Sequence, residues 1–223
     1  YRLINKGGVD TSAVAGNQLG SFYIDSLFIG QWSDIDIGNA GDDLAGCDTL
    51  LRLGFCYNGY ASDISYSRFG LNPPSTGYTM LAGPLVPGTS SDSGVFDFKK
   101  VRGKRNVPMS SFAHKASDPP IGEPPSNDYD RGTGRWWKML RGFAPVGTIY
   151  DADIPYIHPP GYPITSFPLS GDPITASGFV DGLGTSYSLS PGDRRIMINT
   201  GPTRLAPGDT AEVTIGVTVG LGG

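Results

Sequence analysis

Five carboxylates, Asp34, Asp36, Asp42, Asp43 and Asp48, fall within fifteen residues of this chain, in the stretch WSDIDIGNAGDDLAGCDTLLRLGFCYN from Trp32 to Asn58. Gly38, Gly41 and Gly46 sit among them. Negative charge crowded this way is unfavourable unless something neutralises it. A hard divalent cation does so, because it takes roughly six to eight oxygen ligands from carboxylates and backbone carbonyls. The glycines let the backbone turn tightly enough to aim those oxygens inward. The pattern predicts a structural Ca2+ loop. Asp34, Asp36, Asp42 and Asp43 are the side-chain ligands it suggests, Gly38 or a neighbour supplies a carbonyl, and Asp48 is a further candidate.

The loop opens as an EF-hand does, with Asp-x-Asp, and then departs from it. Gly38 takes the fifth position and Ala45 the twelfth, where a bidentate Glu belongs. The competing reading is an acidic surface loop whose Asp side chains cap turns. A catalytic carboxylate pair is a third reading. It needs a set separation across a sugar, which spacing within a loop does not establish.

Other catalytic signals are sparse. The chain has two histidines, His114 and His158. It has no nucleophile elbow, no His-Glu-x-x-His pair and no Gly-rich phosphate loop. Aromatic residues at Trp136, Trp137, Tyr156 and Tyr162 are candidates for stacking on a sugar, although adjacent tryptophans beside Met139 and Leu140 read more readily as core. The basic cluster Lys99, Lys100, Arg102, Lys104 and Arg105 has no interleaved aromatics and reads as a solvated face.

The elements that would position these residues are strands. The 223 residues include 33 glycines and 19 prolines, with 38% hydrophobic and 11% aromatic content, too apolar for a disordered chain. A net charge of -4 argues against general nucleic-acid affinity. No run approaches the length of a membrane span.

The expectation is an all-β fold, an antiparallel β-sandwich of jelly-roll type with long Pro/Gly-rich loops and at most one short helix, in a single domain over 1–223. Residues 1–5 read as a strand. Phe22 to Trp32 reads as a central strand covered on both faces, running into the acidic loop, and Thr49 to Tyr57 as the strand that leaves it. Further strands are expected over 78–86, 107–114, 172–181, 194–200 and 211–219. The last two should pair as a hairpin through Pro207-Gly208-Asp209. Residues 9–20 and 117–128 read as loops, and Gly134 to Gly142 as the helix, with Lys138 and Arg141 outside. With 49–57 as one strand, Cys47 and Cys56 lie about 30 Å apart at about 3.3 Å per residue, so they are expected to be buried and unbridged. Both chain ends read as cut, as in a processed or partial segment of a longer secreted chain.

The stretch WSDIDIGNAGDDLAGCDTLLRLGFCYNG resembles a signature of large secreted bacterial proteins that end in type IX secretion sorting domains. Later blocks follow in the same order: PPSTGYTMLAGPLV at 73–86, NVPMSSF at 106–112, WWKMLRG at 136–142, GDPITASGFVD at 171–181 and PGDRRIMINTGPTRLAPGDTAEVTIGVTVG at 191–220. The resemblance covers nearly the whole chain. It implies an extracellular or cell-surface module and brings no catalytic residues with it. The expected function is therefore a non-catalytic, Ca2+-stabilised structural or adhesive module. It would self-associate into a filament or layer or bind other surface proteins, without nucleic-acid contact or membrane insertion. The alternative is a carbohydrate-binding module, or an accessory domain of a secreted hydrolase, acting on glycans.

Overall fold

A computed structural model describes residues 1–8, 21–116 and 121–221. Short apolar and β-branched runs broken by Gly and Pro turns lay down strands in chain order: β1 (Arg2–Ile4), β2 (Ile24–Asp34), β3 (Asp43–Asp48), β4 (Leu53–Asn58), β5 (Ser75–Ala82), β6 (Leu85–Pro87), β7 (Ser93–Phe96), β8 (Lys99–Arg102), β9 (Lys104–Asn106), β10 (Met109–Lys115), β11 (Arg195–Leu205), β12 (Thr210–Glu212) and β13 (Thr214–Gly220). Two α-helices join them, α1 (Ile64–Ser67) and α2 (Tyr129–Leu140). The fold is an antiparallel, all-β sandwich.

A three-stranded sheet runs β10-β11-β2 and a four-stranded sheet β13-β5-β4-β3. The ribbons β1-β12, β6-β9 and β7-β8 flank them. Phe112, Ala113, Ile196 and Ile198 from the first sheet join Ala45, Cys47, Cys56 and Met80 from the second in one buried cluster, which Met139 of α2 also enters. Gly54 lies where the two sheets approach closely. A Cβ there would lie 2.7 Å from Cγ2 of Ile198 and 2.9 Å from Cε2 of Phe112, so any larger residue would push the sheets apart.

The structure departs from the sequence expectations in several places. Among the described residues two α-helices form, not one at most. The additional one, α1, is a single turn held by Asp63, whose side chain accepts the Ser65 N–H. The longer helix starts five residues before Gly134, where Asp128 caps it through the Arg131 N–H. Lys138 is buried, not outside, because its Nζ donates to the carbonyls of Val146 and Ala152 at 3.0 and 3.3 Å. β2 is an edge strand, not a central one, and Phe22 and Tyr23 before it are exposed. The acidic loop itself contains β3, which folds back on β4 through a turn where Arg52 takes φ 53°.

Residues 172–181 form no strand. Asp172 folds the chain back on itself by accepting from the Ile174 N–H and the Thr175 hydroxyl, and Ala176 and Gly178 have positive φ. Nor do the last strands make a hairpin. The chain around Asp209 is held by the backbone of Asn5, so β12 pairs with β1 while β13 crosses to β5. The loop expected over 9–20 lies outside the described residues, as do 117–120 of the Pro-rich segment. The basic residues of 99–105 lie exposed on β8, β9 and their turn. Among the described residues no helix is long and apolar enough to cross a membrane.

Candidate cation site

β2 ends at Asp34, and the chain then alternates. Ile35 and Ile37 are buried while Asp36 and Gly38 face solvent. The two isoleucines anchor the loop to the core. Gly38 sits at φ +75°, and a Cβ there would lie 2.3 Å from Oδ1 of Asp63, so both backbone and space require glycine. Asn39 caps a 3-10 turn, Ala40–Asp42, by accepting the Gly41 N–H. That turn delivers Asp42 and Asp43 to the start of β3.

Asp43 is fully buried. Its Oδ2 accepts the Ile37 N–H at 3.2 Å, while Oδ1 has no hydrogen-bond partner among the described residues. Burial pushes its carboxyl up to about 7, against the Ile37 N–H, and the charges of Asp42, Asp36 and Asp63 push the same way. Asp42 is 8% exposed, and its Oδ1 also lacks a partner. Burial and then the Asp63 charge raise its pKa, and Asn39 opposes them. Asn58 lies opposite Asp43 in the β3–β4 register. Its Nδ2 donates to the Tyr60 carbonyl at 2.9 Å, and its Oδ1 is buried without a partner.

The other predicted ligands go elsewhere. Asp48 closes β3, about 16 Å along the strand from Asp43, and its Oδ1 accepts the N–H groups of Leu50 and Leu51. Asp34 and Asp36 form a second group with Asp193, with carboxylate oxygens within 4.8 Å of one another. That group already has a cation. Arg195, the register partner of Asp34, places Nε 2.9 Å from Asp34 and Nη2 3.6 Å from Asp193, and also pairs with Glu123. The stretch read as one ligand set is therefore split between two ends of β3 and an arginine network.

Two acidic residues outside the stretch tie it down. Asp63 accepts the N–H groups of Asn39 and Ser65 at 3.1 and 2.7 Å. Its position just before a helical turn is a capping signal, but its reach back to Asn39 has no mark in sequence. Asp181 is buried with Arg194, at 2.8 Å between Oδ2 and Nε, and the same oxygen accepts the Ala45 N–H at 3.0 Å. Both thiols, Cys47 and Cys56, are free and buried, and burial raises their pKa values.

The four proposed stacking residues do not share a surface. Trp136 packs edge-on to Trp32 at 4.9 Å and Trp137 edge-on to Phe28 at 5.4 Å. Tyr156 is buried, and its hydroxyl donates to the His114 carbonyl at 3.2 Å, so its ring has no free face for a ligand. Tyr162 is 42% exposed. A different pair of rings, Phe55 and Tyr57, lines a cleft of about 640 Å³ with Leu53, Gly77 and Ile174.

No family model, curated protein or solved structure matches this chain.

Proposed function

We propose that this chain is a non-catalytic structural or adhesive module of the bacterial cell surface that associates with further copies of itself through sheet edges. The observation that carries the reading is the outer edge of β13. Its sequence, TIGVTVG, has neither charge nor proline, and Val217 and Val219 are 69% and 68% exposed. Edge strands of proteins that stay apart are usually blunted by charge, proline or bulges. An unblunted edge suits strand addition by another chain. The acids in and around the stretch fit the same reading, since Asp48 within it and Asp63 and Asp181 beyond it accept backbone N–H groups. The likeness of 32–59 to secreted proteins carrying type IX sorting domains supports the surface location.

Negative-stain electron microscopy and sedimentation at rising concentration test this. Filaments or layers are expected, and Val219→Lys, which places a charge on the edge, should return the chain to monomers. Monomers of the unaltered chain at every concentration would contradict the reading.

Glycan binding is the second reading, favoured by the cleft over Phe55 and Tyr57, whose rings stand 5.9 Å apart at 37°. It requires glycan-array signal that disappears in Phe55→Ala.

A further inference from the structure

We propose that the corner where β3 leaves its 3-10 turn binds one Ca2+ through side-chain oxygens of Asp42, Asp43 and Asn58. Asp36 and Asp63 add negative charge from nearby. The three oxygens belong to two consecutive residues and to the residue paired with one of them across β3–β4. Each is buried and receives no hydrogen bond from the described residues. Buried acceptors are rarely left unpaired, and a buried carboxylate is rarely left without a counter-charge. The arginines nearby are committed. Arg195 serves Asp34, Asp193 and Glu123, and Arg194 serves Asp181. A bound cation answers both deficits at once.

The donor set names the ion. All three donors are hard oxygens, with no imidazole or thiolate among them, which disfavours zinc. The oxygens come from an irregular turn and two strand ends, which suits the flexible coordination of Ca2+ better than the strict octahedron of Mg2+. With only three protein oxygens, water completes the shell. Affinity should then fall at the weak end for extracellular modules, on the order of 10⁻⁴–10⁻³ M. The exposed Asp34, Asp36 and Asp193 group is not this site, because the Arg195 guanidinium already stands there.

The test is calorimetric titration of the EDTA-dialysed full chain with Ca2+ alone at pH 8, paired with thermal melts. One Ca2+ per chain is expected, with a rise in Tm that equal ionic strength of K+ does not reproduce. Asp43→Asn and Asn58→Ala should each weaken uptake by about tenfold or more, while Asp34→Asn should leave it within about twofold. Asn58→Ala keeps the test open if Asp43→Asn fails to fold. No uptake up to about 10 mM would overturn the proposal, as would uptake unchanged in both site variants or lost in Asp34→Asn. None of these outcomes bears on self-association, which the sedimentation of Val219→Lys decides separately.

Discussion

Asp181→Ala is expected to destabilise the fold by about 3–5 kcal/mol, measured as a fall in the urea-unfolding free energy. Asp181 and Arg194 have side chains 0% and 2% exposed. Removing the carboxylate leaves the guanidinium buried without a counter-charge, with the Ser190 carbonyl its remaining acceptor at 2.8 Å. It also strips the acceptor from the Ala45 N–H on β3, and an unpaired buried donor carries its own cost. Replacing both partners by apolar residues of similar volume should be much milder than either single change, because no stranded charge remains. A loss below about 1 kcal/mol in Asp181→Ala would mean that Arg194 reaches water when its partner is gone.

His114 should contribute a loss of stability in acid, opposed over part of the range by Asp43, whose carboxyl is pushed up to about 7. The imidazole is fully buried between the rings of Phe112, Tyr156 and Tyr187, and neither ring nitrogen has a hydrogen-bond partner among the described residues. Burial, and then the Arg194 charge, lower its pKa from 6.5 to about 3. The unfolded chain takes up this proton near pH 6.5, whereas the folded chain takes it up only near pH 3. Between those values the unfolded state holds more protons. The stability contribution of this group is therefore complete above pH 6.5 and is lost as pH falls toward 3, by about 5 kcal/mol in all. His114→Phe keeps an aromatic ring and removes the titration. Its stability should fall less steeply than that of the unaltered chain across this window, and identical slopes would contradict the assignment.

The sequence was most legible where period-two alternation met a clear turn. Leu53, Phe55 and Tyr57 share one face as read, and β6 follows the Gly83-Pro84 break. It was least legible where distant segments compete for the same backbone. The alternation of 211–219 is real, yet Asn5 and Tyr1 claim the backbone around Asp209 and Val213, so one apparent strand becomes two with different partners. In β2 the apolar residues on both faces suggested a buried strand, but burial depends on neighbours that local pattern does not specify. The acidic stretch shows the same limit. Composition revealed that its charge needs an answer, but not that Arg195, 147 residues beyond Asp48, meets Asp34, or that Asp63 sits under Gly38. Nor did it reveal β3, because Ala45, Gly46 and Cys47 have little strand preference of their own and pair because β4 lies beside them.

The central claim, that the acids at the head of β3 hold an ion as part of the architecture, is tested most directly by anomalous diffraction from crystals grown in Ca2+ or in its luminescent stand-in Tb3+. The account predicts a single strong peak enclosed by the side chains of Asp42, Asp43 and Asn58. A map with no peak there, or with its only peak between Asp34, Asp36 and Asp193, would contradict it.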